Sequence, residues 1–147
     1  MTAETGEAQA WHLRLFEKSV LKQQKLRELL GAMSRLGISA DRSSLRALDL
    51  GSDNGVISYL LRERGGRWAS GDLSNETVSS IKALVEHDVS LVSGDALPYP
   101  DEEFDLVVVV DMLEHVDNDA ALIGEIARVL KPDGALIVNV PNRKSYS

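Results

Sequence analysis

Two kinds of apolar spacing take turns along most of this chain. Short runs of neighbouring apolar residues mark strands buried in a sheet, and apolar positions recurring at three- and four-residue steps mark helices that bury one face. The runs predict strands over residues 45–50, 67–71, 89–93, 104–110 and 135–140, and the helical steps predict helices over 56–64, 77–86 and 120–130. The unbroken valines Val107 to Val110 require burial on both faces, as in the middle of a parallel sheet. Local signals punctuate the same reading. Gly65-Gly66 stops the first helix, Ser74 with Glu76 opens the second, and Asp117-Asn118-Asp119 opens the third. Lys131-Pro132-Asp133-Gly134 turns the chain into the last strand, which Pro141 stops.

Ahead of this alternation, residues 7–36 read as helix in two pieces, with Trp11, Leu15, Leu26, Leu29, Leu30 and Met33 on helical spacing. Gly31 weakens the second piece and Gly37 ends it, residues 1–6 have nothing to bury and read as disordered, and 38–44 is a polar connection. The stripe favours helices packed on the sheet, and a lid over a ligand with Trp11 and Phe16 as its apolar contacts is the other reading. Lys18, Lys22, Lys25 and Arg27 read as a solvated face. The expected organisation is a helical segment, 1–44, followed by an α/β domain, 45–147. That domain is a Rossmann-like open parallel sheet of order 3-2-1-4-5 with helices on both faces. Ligands of such sheets lie where the strand order reverses, beside strands one and four.

Composition narrows the classes. At 147 residues the chain has room for one domain with a real core. A net charge of -7 argues against nonspecific binding to nucleic acid or anionic membranes. The absence of cysteine excludes disulfides and thiolate metal sites, and His12, His87 and His115 show no metal-ligand spacing. No apolar run reaches the length of a membrane span, and the polar, acidic start is wrong for a signal peptide, so the expected address is the cytoplasm.

The chemistry concentrates in Asp49-Leu50-Gly51-Ser52-Asp53-Asn54-Gly55, a strand running through a glycine turn into a helix. Gly51 and Gly55 permit a sharp turn and expose bare main chain to a ligand. A pyrophosphate is disfavoured, because Asp49 and Asp53 would repel it and the third glycine of G-x-G-x-x-G is missing. Five aspartates, Asp49, Asp53, Asp72, Asp95 and Asp111, fall at or just past predicted strand ends, which share one edge in a parallel sheet. Carboxylates around one crevice suit a cationic ligand that donates hydrogen bonds. Asp72 stands about 20 residues beyond the turn, the spacing of a ribose-binding acid; its other role would be to cap the following helix, for which Ser74 is better placed. The positively charged adenosyl cofactor is S-adenosyl-L-methionine, a sulfonium.

At these residues the sequence resembles the class I S-adenosylmethionine-dependent methyltransferases, and over Leu45 to Asn142 their widespread small-molecule subgroup. Asp49 to Gly55 stands where their first motif, an acid, one residue and G-x-G-x-G, would be. Asp53 replaces the middle glycine, and aspartate is among the few residues that tolerate left-handed backbone angles. Phe104 to Val116 and Val129 to Leu136 match two further motifs, and Ser93 to Pro98 resembles the segment that meets the adenine ring. The resemblance implies cofactor contacts from Asp49, Gly51, Ser52, Asp53, Gly55, Asp72, Leu73, Asp95, Ala96, Asp111 and Met112. Asp95 would accept from the exocyclic amine, the Ala96 amide would serve a ring nitrogen, and Asp111 and Met112 would border the methionine end.

Methyl transfer to a small-molecule acceptor is an in-line displacement that depends chiefly on positioning. A general base is needed only where the acceptor loses a proton, and His115, just past strand four, is the one candidate, its alternative being a loop histidine bonded to backbone. Members of this class usually continue past strand five with a helix and an antiparallel strand pair. This chain lacks that pair and reads as truncated, which leaves strand five as an edge open to self-association. A noncatalytic cofactor-binding or interaction module of the same fold is the alternative function, and a nicotinamide-dependent oxidoreductase a weaker third.

Overall fold

The computed structural model describes residues 2–39, 42–51 and 54–139. Ser52 and Asp53 lie outside the described residues, as do Val140 and Pro141 at the predicted end of the last strand. In chain order the elements are α1 (Ala3–Lys18), α2 (Val20–Arg35), β1 (Arg46–Leu50), α3 (Val56–Glu63), β2 (Arg67–Asp72), α4 (Asn75–Val85) and β3 (Val89–Leu91). β4 (Phe104–Val110) follows, then a 3-10 turn (Leu113–His115), α5 (Asp119–Val129) and β5 (Leu130–Asn139). The strands form one five-stranded sheet in the order β3-β2-β1-β4-β5, parallel throughout. The Rossmann-like architecture and the predicted order both hold.

Side chains of β1 and β4 alternate between two apolar layers, as strands covered on both faces must. Leu45, Ala47, Leu106, Val108 and Val110 face α2 and α3, where they meet Leu26, Leu29, Met33, Ile57 and Leu61. Leu48, Leu50, Val107 and Val109 face α5, where they meet Leu122, Ile126 and Val129. Thus α2 is packed on the sheet and shares its core. The caps form as the sequence predicts: Ser74 accepts from the Thr77 amide and Asn118 from the Ala121 amide.

Two terminal expectations need correction. Residues 2–6 are not a disordered lead: α1 begins at Ala3, capped by Thr2, whose side chain accepts from the Thr5 amide. The helix is held by remote partners that local composition does not reveal. Gln9 Nε2 donates to the Leu84 carbonyl at 2.8 Å and the Thr2 amide to Glu86 Oε1 at 3.1 Å. The last strand starts at Leu130, not Ala135. Leu130 pairs with Phe104 and Ala135 with Leu106, so the intervening Lys-Pro-Asp-Gly bulges within the strand. Gly134 fits that bulge because a Cβ there would stand 2.9 Å from Leu130 Cδ2 and 3.0 Å from the Lys131 carbonyl oxygen.

Both glycines of the first turn adopt left-handed angles, φ +82° at Gly51 and +94° at Gly55. A Cβ on Gly51 would run into the Val110 carbonyl oxygen and stand 2.9 Å from Met112 Cβ, and one on Gly55 would stand 2.9 Å from the Ile81 Cα. Gly55 therefore seats α3 against α4. Gly55→Ala is expected to cost about 1–3 kcal/mol from backbone angle alone, with crowding added, and chemical denaturation should show a lowered midpoint.

Asp49, expected on the ligand rim, is instead fully buried within β1. Strand alternation turns it toward α3, where the Ser58 and Ser70 hydroxyls each donate to one of its oxygens at 2.6 Å. Arg62 completes the network by donating to Ser70 Oγ at 2.9 Å. Burial raises the Asp49 pKa, and the two hydroxyls and the Arg62 charge oppose that rise. In the unfolded chain an aspartate ionises near pH 4. The folded carboxyl holds its proton to higher pH, so the stability linked to it is full below about pH 4 and is lost as pH rises through the folded value. The unfolding free energy of the wild type minus that of Asp49→Asn is expected to fall with pH over this window. A difference that grows with pH would show that the hydroxyls and Arg62 outweigh burial.

Candidate functional site

Where the strand order reverses, the C-terminal ends of β2, β1 and β4 diverge and leave a cavity of about 390 Å³. Its lining comes from every element around that edge: Gly51 and Asn54 from the turn after β1, Val56 and Ile57 from α3, and Asp72, Leu73, Ser74 and Thr77 from the β2–α4 junction. Val110, Asp111, Met112 and His115 close it from the end of β4, and Lys22 and Lys25 close it from α2.

Six of the predicted site residues are thereby brought together: Gly51, Asp72, Leu73, Asp111, Met112 and His115. Asp72 ends β2, and one of its oxygens accepts from the Ser74 amide at 3.3 Å. Ser74 itself caps α4, so the cap falls to Ser74 and not to Asp72. Met112 is buried under the cavity, and Asp111, at φ +51°, turns its carboxylate onto the Lys25 ammonium. His115 ends the 3-10 turn with its side chain largely in solvent, its Nε2 3.6 Å from Glu114 Oε1.

The other four described residues stand outside the lining. Asp49 and Gly55 lie behind it, one in the buried serine network and the other under α4. Asp95 and Ala96 are exposed and occupied with their own turn. Ser93 Oγ donates to Asp95 Oδ1 at 2.9 Å and accepts from the Ala96 amide at 3.1 Å. The amide expected to serve an adenine nitrogen is thus already committed in this structure. The segment just beyond is pinned by α5: Arg128 donates to the Leu97 and Tyr99 carbonyls, and Glu125 accepts from the Leu97 amide.

Sequence reasoning missed Lys22 and Lys25. Lys18 and Arg27 are exposed as expected of a solvated face, whereas Lys22 and Lys25 are half-buried. A signal was present: Lys22 lies one turn before Leu26, and Lys25 one turn before Leu29, on the stripe that α2 buries. Asn54 and Thr77, which the sequence places in the turn and at the helix start, line the cavity as well.

No helix among the described residues is long and apolar enough to cross a membrane. Residues 48–138 match the family model described as a methyltransferase domain. The chain is 30% identical over 109 residues to a ubiquinone biosynthesis O-methyltransferase of Burkholderia vietnamiensis, an alignment spanning 69% of this chain and 47% of that protein. The chain thus spans about half the length of the curated relatives it matches. Among solved structures, an S-adenosylmethionine-dependent methyltransferase from Mesorhizobium loti superposes with a TM-score of 0.63 at 23% identity, over 75% of this chain and 52% of that one. The 4+2 cyclase SpnF superposes with a TM-score of 0.59 at 28% identity, over 73% of this chain and 44% of that one. The family match covers most of the sheet together with α3, α4 and α5, and the chain belongs to the methyltransferase domain family, whose cofactor is S-adenosyl-L-methionine.

Proposed function

We propose that this chain carries out methyl transfer from S-adenosyl-L-methionine to a small-molecule acceptor. The observation that carries the reading is the cavity at the β2–β1–β4 edge, with a carboxylate at each side, bare glycine backbone between them and an exposed imidazole on its wall. The residues present fit the cofactor. Asp72 at the end of β2 suits paired ribose hydroxyls, since a carboxylate can accept from both. Gly51 lets a ligand lie on main chain, because it carries no Cβ above the β4 end. Leu73 and Met112 offer apolar contact and Asp111 faces the cationic end. Ser52 and Asp53, in the same turn, belong to the proposed cofactor-binding set by their motif.

The bound cofactor supplies a methyl group already activated by the sulfonium. The protein's part is to align the acceptor with that methyl and keep water out, which positioning alone can accelerate strongly. The matched relatives are named O-methyltransferases, and a hydroxyl acceptor has a proton to lose. His115 is placed to take it: it lines the cavity yet reaches solvent, where an acceptor enters. Glu114 Oε1, 3.6 Å from Nε2, would stabilise the imidazolium that results.

Asp72→Ala is expected to weaken S-adenosylhomocysteine binding by roughly 1.5–3 kcal/mol in calorimetric titration, as for a lost hydrogen bond to a charged group, with the fold retained. Unchanged affinity would remove Asp72 from the ribose role. His115→Ala is expected to slow transfer to hydroxyl acceptors by about 10²–10⁴-fold. An unaltered rate would leave His115 a wall residue. The reading itself is tested by transfer of labelled methyl from the cofactor to a panel of phenols and other small acceptors. Tight cofactor binding without any methyl loss would instead favour a noncatalytic role or another reaction on the same fold, since fold alone does not fix chemistry.

A further inference from the structure

We propose that the protein binds a small phosphorylated ligand, through its phosphate or diphosphate group, in a second cavity at the sheet edge opposite Asp72 and Asp111. Arg46, which starts β1, Arg67, which starts β2, and Arg62 of α3 line this cavity of about 540 Å³ together with the acids Asp88 and Glu103. The inference is independent of the methyl-transfer reading.

Two features of the arginines point to an anion. Arg46 and Arg67 are register partners in adjacent parallel strands, so their side chains leave the sheet on the same face. Like charges set side by side repel. The Arg46 guanidinium stays beside the Arg67 backbone all the same, its Nη1 donating to the Arg67 carbonyl at 3.4 Å. Glu103 Oε1 answers Arg46 Nε from 3.9 Å, whereas the exposed Arg67 side chain has no hydrogen bond or ion pair among the described residues. Arg62 shows the second feature. It is half-buried, yet among the described residues its guanidinium bonds only neutral groups. Nη1 donates to the His87 carbonyl at 3.2 Å, and Nη2 to Ser70 Oγ at 2.9 Å and the Asp88 carbonyl at 3.3 Å. Buried charges are ordinarily paired, and the carboxylate behind Ser70, Asp49, is reached only through that hydroxyl.

Three guanidinium groups thus meet two carboxylates, a local positive excess in a chain of net charge -7. One of those carboxylates, Asp88, also has the His87 imidazole 3.9 Å from its Oδ2. A guanidinium fork matches two phosphate oxygens at once, and Arg46 and Arg67 present two forks side by side. The Arg46 fork is held in place over the Phe104 ring, 5.1 Å from its centroid, so less freedom is lost when an anion binds. A cavity of this volume suits a small molecule, and the chain's net negative charge disfavours a nucleic-acid backbone.

The test is calorimetric titration of the full chain with inorganic pyrophosphate and with uridine diphosphate at physiological ionic strength. The wild type should bind both. Equal affinities would mark the diphosphate alone as the recognised group, and tighter uridine diphosphate a ligand with an organic part. Arg67→Ala, at an exposed position with no side-chain bond to lose, is expected to weaken pyrophosphate about tenfold, and Arg67→Lys to weaken it less. Glu103→Gln should tighten binding severalfold by removing the acid that competes for Arg46. Absence of binding by the wild type, or affinities that neither Arg67→Ala nor Glu103→Gln changes, would overturn the proposal. Affinity lost in Lys25→Met instead would place the anion in the cavity beside Asp111 and overturn it as well.

Discussion

Everything at the ligand edge depends on how closely two backbones pass where β1 gives way to α3. At Gly51 the chain runs so near the Val110 carbonyl and Met112 that a Cβ has no room, and at Gly55 it runs equally near α4. Those two contacts hold the end of β1 against β4 and the start of α3 against α4, and Gly51 itself lines the cavity. The glycines are required by their left-handed angles as much as by space.

Around that turn, charges divide into two groups by burial. Asp49 is held inside by two serine hydroxyls and ties β1 to α3 and β2. Its position in the first motif thus serves the frame beneath the site, and its burial raises its pKa. Asp72 and Asp111 lie one strand to either side, at strand ends where alternation no longer turns them into the core. Of that row of acids, Asp49 becomes a structural carboxylate, whereas Asp72 and Asp111 line the cavity. The helical segment before the sheet belongs to the same design. The stripe that buries Leu26, Leu29 and Met33 also carries Lys22 and Lys25 to the cavity wall, so one helix both packs the core and supplies counter-charge.

The family relationship and the geometry constrain function at different levels. The match over 48–138 establishes the domain and its cofactor. The cavity shows which of this chain's own side chains stand near it. On the proposed reading an acceptor would enter past His115, which lines the cavity and is largely in solvent. A cyclase among the similar structures illustrates that reaction type is set by such local contacts and not by the sheet.

The sequence by itself determined what short-range physics controls. Apolar periodicity marked the strands, with Phe104 to Val110 placed to the residue. Ser74 and Asn118 announced their helices, and the glycine turn and Asp72 stand at the edge where the cavity forms. Only tertiary structure decided what depends on partners far along the chain. Thr2 and Gln9 order the first helix through α4, and strand alternation against two covering layers hides Asp49. The Ser93–Ala96 turn consumes the amide that a motif would offer to a ligand. Lys25 is the sharpest case. A charged residue on a helix reads as solvated because local sequence carries no information about what faces it, and here the facing group is a carboxylate at the end of the fourth strand.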